Sequence, residues 1–136
     1  METELQTVIH SSTDIVTARQ RGRSLALELG FNGADVTLIA AAISEVARNI
    51  VDHAKTGEIL MSSLSNGANG GRRGIQIIAR DEGPGIRDVA QAMQYGYSTR
   101  KGLGVGLPGA KWLMDEFDIA SEVGRGTTIT MKKWKR

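Results

Sequence analysis

The stretch from Asp35 to Ala54 constrains this chain more than any other. Val36, Ile39, Ala40, Ile43, Ala47 and Ile50 recur at helical spacing and make a continuous apolar stripe. A helix with such a stripe must bury it against another layer, so a sheet or further helices have to cover it. The same stretch carries a second stripe: Glu45, Asn49 and His53 recur every four residues and share a face. Asn is a poor interior helix residue, so its place inside a well-patterned helix asks for a reason. A ladder of solvated polar groups is one reason; a carboxylate and an amide side by side beneath a ligand is the other. In the second reading Asn49 offers an oxygen suited to a hard cation such as Mg²⁺. Glu45 then takes a proton from an attacking hydroxyl. His53 reads as a helix-end packing or capping residue outside the site.

A second constraint lies in Ile77-Ile78-Ala79-Arg80-Asp81-Glu82-Gly83-Pro84-Gly85-Ile86. The segment from Gly74 to Arg80 reads as a strand, and the breakers after it place Asp81 at its exposed C-terminal tip. Gly83 and Gly85 let the backbone turn sharply and leave room for a flat ligand. One carboxylate at the mouth of such a slot accepts hydrogen bonds from an amino group. An Asp capping a tight loop would look the same in isolation.

The other segments supply the layers. Leu5 to His10 is β-leaning and fits an edge strand. Ser11 and Asp14 have capping-box spacing, and Ile15, Ala18, Gly22, Leu25, Ala26 and Leu29 follow at helical spacing until Gly30. Arg19, Arg21 and Arg23 fall mostly on the opposite, solvated side. Gly57 to Leu64 reads as a strand, joined to the next by the glycine- and asparagine-rich run 66–71. Asp88 to Met93 fits a short helix, and Tyr95 to Lys101 has no period and reads as a mobile loop. Gly102-Leu-Gly104-Val105-Gly106-Leu107-Pro108 then opens a helix expected to run through Phe117, with Pro108 in its first turn. Phe117, Ile119, Ser121 and Val123 alternate as a strand. Gly124-Arg-Gly126 turns the chain into a closing strand from Thr127 to Trp134. Neither a repeat nor a domain boundary appears, so residues 1–136 are expected to form one domain.

Composition removes several classes of function. With 136 residues and 40% apolar content the chain is long enough for a core. The absence of cysteine excludes disulfides, thiol catalysis and thiolate metal sites. No apolar run reaches membrane-spanning length and the polar start has no signal-peptide pattern, so a cytoplasmic location is expected. The 17 basic and 15 acidic residues are mixed. Without Lys132, Lys133, Lys135 and Arg136 the count is 13 against 15, which argues against a nucleic-acid face.

The glycine-rich segment does not fit the common phosphate loops. Gly104-Val-Gly-Leu-Pro-Gly109 matches the dinucleotide pattern, but a polar run precedes it and too little chain follows for a doubly wound sheet. Gly104 to Lys111 departs from a Walker A loop at Ala110 and Trp112. Backbone N–H groups at a helix N-terminus still favour an anion, but in another architecture.

Four elements stand in a fixed order: Glu45-Val-Ala-Arg-Asn49, Asp81-Glu-Gly83-Pro-Gly85, Gly102-Leu-Gly104-Val-Gly106-Leu, and Gly124-Arg-Gly126-Thr127-Thr128. This set resembles the nucleotide-binding boxes of the GHKL superfamily of ATPases and kinases. The small size, Ser98-Thr99, the short lid, and Leu107-Pro-Gly-Ala-Lys-Trp-Leu-Met-Asp-Glu-Phe117 resemble the anti-sigma-type serine kinases, in particular the switch kinases of the stressosome pathway. Anti-sigma factors proper usually carry a longer, more charged lid.

The resemblance implies an α/β two-layer sandwich: a mixed, largely antiparallel sheet with helices on one face. It implies a protein serine/threonine kinase that uses ATP and Mg²⁺. Asn49 would hold the metal and Glu45 would act as general base. Asp81 would recognise the adenine amino group, with Gly83 and Gly85 shaping its pocket. Gly102, Gly104, Val105, Gly106 and Leu107 would form the phosphate lid, and Thr128 would line the adenine end. The implied substrate is a small STAS-domain protein, and the implied second partner is a PP2C-type phosphatase. Sequestration of a sigma factor is the alternative, and a plain ATPase the third possibility.

Overall fold

A computed structural model describes residues 4–65, 71–93 and 106–135. The chain runs β1 (Glu4–Ile9), α1 (Ser12–Glu28), α2 (Gly33–Asn49), β2 (Gly57–Ser65), β3 (Arg73–Asp81), α3 (Val89–Ala92), α4 (Gly106–Leu113), β4 (Glu116–Glu122), β5 (Gly126–Trp134). The five strands form one sheet in the order β1-β2-β3-β5-β4, antiparallel at every pairing. This is the largely antiparallel α/β layer arrangement the sequence led us to expect. Among the described residues, no helix is long and apolar enough to cross a membrane.

Strand alternation decides which sheet face is covered. Ile59, Met61, Ile75, Ile77, Ile129 and Met131 are buried on one face, where they join Leu25, Ile39, Ile43 and Val46 from the helices in a single core. Helix α1 lies close on α2: a Cβ on Gly22 would come within 2.1 Å of Ile43 Cδ1. The other sheet face carries the alternate residues, among them the ion-paired Glu58 and Arg80.

The helix ends follow local chemistry. Asp14 accepts the backbone N–H groups of His10 and Ser11 at 2.8 and 3.1 Å, which fastens the start of α1. Asn32 caps α2 by accepting Asp35 N–H at 2.8 Å, so this helix begins at Gly33, two residues before the expected start. Its far end departs from the expected uniform helix. Ile50–Ala54 widens into a π-turn closed by Lys55 N–H donating to Ile50 O at 2.8 Å. Helix α4 also differs from expectation, ending at Leu113 instead of Phe117. Asp115 N–H donates to Lys132 O at 3.0 Å, so strand pairing with β5 takes over and Phe117 belongs to β4.

Candidate functional site

The apolar stripe of α2 fixes the position of its polar stripe. With Val36, Ile39, Ile43 and Val46 in the core, Glu45 is carried to the margin of the layer and is itself buried. Asn49 lies one turn further, half-buried at the last position of α2. His53 is exposed in the π-turn. A charged residue is seldom buried without partners, and Glu45 has them. Gly106 N–H donates to its Oε1 at 3.0 Å, and Arg48 Nη1 donates to its Oε2 at 3.1 Å. The first of these bonds joins α2 to the first residue of α4. Leu107 is buried beside it. Opposite, the Lys133 ammonium donates to Leu113 O at 2.9 Å, a cation at the C-terminal end of α4 where the helix dipole favours one. Helix α4 is thus fastened at both ends, and its glycine-led start faces the Glu45 carboxylate.

Asp81 ends β3, 8% exposed, on the helix-covered face. Its Oδ1 accepts Gly83 N–H at 2.9 Å, so the loop folds back over its own carboxylate. Gly83 has to be glycine because a Cβ would come within 2.5 Å of Ala54 Cβ in the π-turn. The rest of the loop is stitched to the β4–β5 hairpin. Gly124 N–H donates to Pro84 O at 2.9 Å beside Gly85, and Ile86 N–H donates to Ser121 Oγ at 2.7 Å. Ser121 Oγ also lies 2.7 Å from Thr127 Oγ1. A cavity of about 940 Å³ opens at this end of the sheet, with Ala54, Asp81, Ser121 and Thr127 on its lining together with Glu58 and Thr128 from the far face.

The register puts the two threonines of β5 on opposite faces of the sheet. Asp81 is paired with Thr127, and Arg80 with Thr128. Side chains alternate along a strand, so Thr127 shares the face of Asp81 while Thr128 points to the opposite face. Thr127 therefore stands beside Asp81 on the covered face, and Thr128, the residue expected to line the adenine end, lines the cavity from the other face. Gly126, φ +114°, allows the close approach of the two strands there, because a Cβ on it would sit 2.1 Å from Asp81 O. Ser121 was also missed: the sequence offers nothing to show that its hydroxyl meets the Asp81 loop. Glu45, Asn49, Gly106 and Leu107 stand together at one end of the α2–α4 contact. Asp81, Gly83 and Gly85 form the second group. Gly102, Gly104 and Val105 lie outside the described residues.

The donor set bears on the metal. Among the described residues no three His, Cys, Asp or Glu side chains gather in a way that would hold an ion. A lone amide oxygen at Asn49 fits Mg²⁺ shared with nucleotide phosphates and water, the usual manner for that ion, and does not fit an all-protein cage.

The histidine kinase-like ATPase domain family matches residues 10–133. The chain is 50% identical over 128 residues to the serine/threonine-protein kinase RsbT of Bacillus subtilis, covering 94% of each. It is 31% identical over 122 residues to the anti-sigma F factor of Clostridium acetobutylicum, covering 85% of this chain and 82% of that one. The crystal structure of the RsbU and RsbW domains of Rv1364c from Mycobacterium tuberculosis superimposes with a TM-score of 0.64 at 25% identity. That match takes in 98% of this chain, which spans about a third of the larger protein's length (33%).

Proposed function

The chain belongs to the histidine kinase-like ATPase family, and on that premise we propose that it is an ATP-dependent protein serine/threonine kinase. The observation that carries the reading is the Glu45 carboxylate, buried on α2 and 3.0 Å from the first backbone N–H of α4. A base is thereby held where a glycine-led helix start favours phosphate. Asp81 and Thr127 supply the polar end of an adenine slot, roofed by the Gly83–Gly85 loop. Asn49 would hold Mg²⁺ against the phosphates, and the ion would supply charge neutralisation there.

Phosphoryl transfer is mostly positioning and charge stabilisation. The acceptor hydroxyl oxygen forms a bond to the γ-phosphorus, and its proton passes to Glu45. The bond from that phosphorus to the β–γ bridging oxygen breaks, and the electron pair leaves with ADP. The acceptor is a serine or threonine on a STAS-domain protein of the stressosome-scaffold type. Release from that complex frees the kinase, in the cytoplasm, to bind and activate a PP2C-type phosphatase in a stress-response pathway. Support for this partner-switching scheme comes from the 50% identity to RsbT over 94% of both chains.

The test is incubation with Mg²⁺–ATP and a STAS-domain protein from the same cell, followed by phosphosite mapping. One phosphorylated serine or threonine is expected, and no transfer to any protein fraction of that cell would remove the reading. A second reading draws on the 31% identity to the anti-sigma F factor: sequestration of a sigma factor with kinase activity in support. ATP-dependent inhibition of transcription, with a sigma factor co-eluting, would favour it.

A further inference from the structure

Ser121 has no role in the transfer scheme, yet its hydroxyl decides which way a proton points beside Asp81. A serine hydroxyl carries one proton and two acceptor lone pairs. Ser121 Oγ has three polar neighbours: it accepts the Ile86 N–H at 2.7 Å, lies 3.1 Å from Gly126 O, and lies 2.7 Å from Thr127 Oγ1. A carbonyl oxygen can only accept. The Ser121 proton therefore goes to Gly126 O, and the Thr127 hydroxyl donates into the lone pair that remains. The reverse direction would leave the Thr127 proton with no acceptor among the described residues. Thr127 is only 5% exposed, and a buried hydroxyl proton without an acceptor is costly.

Thr127 Oγ1 is thus left with lone pairs alone. It is paired across the β3–β5 ladder with Asp81, whose carboxylate accepts the Gly83 N–H at Oδ1. Directly paired residues on one sheet face hold their side chains about 5 Å apart, so two buried acceptors adjoin on the wall of the cavity. Neither Asp81 Oδ2 nor the spare lone pairs of Thr127 Oγ1 meet a donor among the described residues. Buried polar groups are satisfied in folded proteins, and a group that brings two hydrogens on one atom satisfies both acceptors at once. We infer that Ser121 determines base specificity: by holding the Thr127 hydroxyl as an acceptor, it makes this end of the cavity select a nucleotide with an exocyclic amino group. One hydrogen of that group goes to Asp81 and the other to Thr127. This rests on the kinase reading and deepens it. Ser121 is a positioning residue, since it acts through Thr127.

The test is calorimetric titration of the wild type, Ser121→Ala and Thr127→Val with the Mg²⁺ complexes of ATP and of purine riboside triphosphate, which has hydrogen in place of the amino group. The wild type is expected to prefer ATP about a hundredfold, roughly tenfold for each acceptor left without its donor. Ser121→Ala frees the Thr127 proton to turn and is expected to cut that preference about tenfold. Thr127→Val removes the second acceptor while Ser121 keeps its bonds to Ile86 and Gly126, so it guards against misfolding of the alanine variant. It is expected to show the same fall in preference. A serine that only fastened the Asp81 loop would weaken both nucleotides alike when replaced, so a preference unchanged in either variant overturns the assignment. A wild type that binds both nucleotides equally well overturns it too. A wild-type protein that binds neither overturns the kinase reading itself, a result distinct from loss of preference alone.

Discussion

Asp81 and Thr127 stand opposite one another across the β3–β5 ladder, both more than nine-tenths buried, while Arg80 and Thr128 form the next pair on the other face. Two adjacent threonines therefore make a controlled comparison. Thr127→Val removes a hydroxyl beside the Asp81 carboxylate and is expected to weaken ATP binding about tenfold, the cost of a buried polar group left unpaired. Thr128→Val changes only the far face and is expected to leave affinity within about twofold. Calorimetry with ATP decides, and the opposite ranking would mean that the adenine end lies on the open face.

The polar stripe of α2 separates binding from chemistry. Glu45→Gln is nearly isosteric and keeps an acceptor for the Gly106 N–H, so nucleotide affinity is expected to persist. Transfer to the protein acceptor is expected to fall roughly 10²–10⁴-fold, as for other general bases. Asn49→Ala removes the amide oxygen and is expected to abolish transfer and the Mg²⁺-dependent part of ATP binding together. Single-turnover transfer and calorimetry, run on the same preparations, separate the two effects. Wild-type transfer by Glu45→Gln would show that the base is another group.

How much of this could be read in advance depended on whether a local pattern carried the information. The two stripes of α2 are written in helical spacing, so Glu45 and Asn49 were placed correctly relative to one core. The Asp81 strand tip is marked by its own breakers. The end of α4 is not: Leu113 and Phe117 keep helical spacing, and neither Gly nor Pro separates them. Only the tertiary bonds of Lys133 to Leu113 O and of Asp115 N–H to Lys132 O end the helix. The Thr127 face needs a register that no single strand specifies. The π-turn at Ile50–Ala54 has no breaker before Lys55, whose φ is +72°.

The hairpin glycines supply a stability test. Gly124 has φ +84° but open space around it, so Gly124→Ala is expected to cost only the left-handed strain, about 1–2 kcal/mol. Gly126 has φ +114° and the Asp81 carbonyl 2.1 Å from where a Cβ would sit. Gly126→Ala adds a backbone clash to that strain and is expected to cost several times as much, and to lower nucleotide affinity because Asp81 must shift. Urea unfolding at neutral pH measures both variants. Equal destabilisation would mean that the β4–β5 turn relaxes away from Asp81 freely.

The open face provides the pH test. Arg80 donates to Glu58 Oε2 through Nη2 at 2.7 Å and Nε at 3.0 Å, and Gln6 Nε2 donates to Oε1 at 2.5 Å. The hydrogen bond from Arg80, then that from Gln6, hold the Glu58 carboxyl below its ordinary value of 4.5. The unfolded chain therefore takes up this proton first as the solution is acidified. The stabilisation is complete above pH 4.5 and is lost as pH falls through the lower folded-state value. Arg80 is half-exposed, so solvent screens the pair and its worth is at most about 1 kcal/mol. Glu58→Gln keeps the shape and removes the charge. It is expected to be less stable than wild type by up to that amount at neutral pH, with the gap closing as the pH drops below 4.5. Paired urea titrations at neutral and acid pH measure the gap. A gap that stays constant into acid would assign the stabilisation to side-chain packing on the sheet, because packing does not titrate.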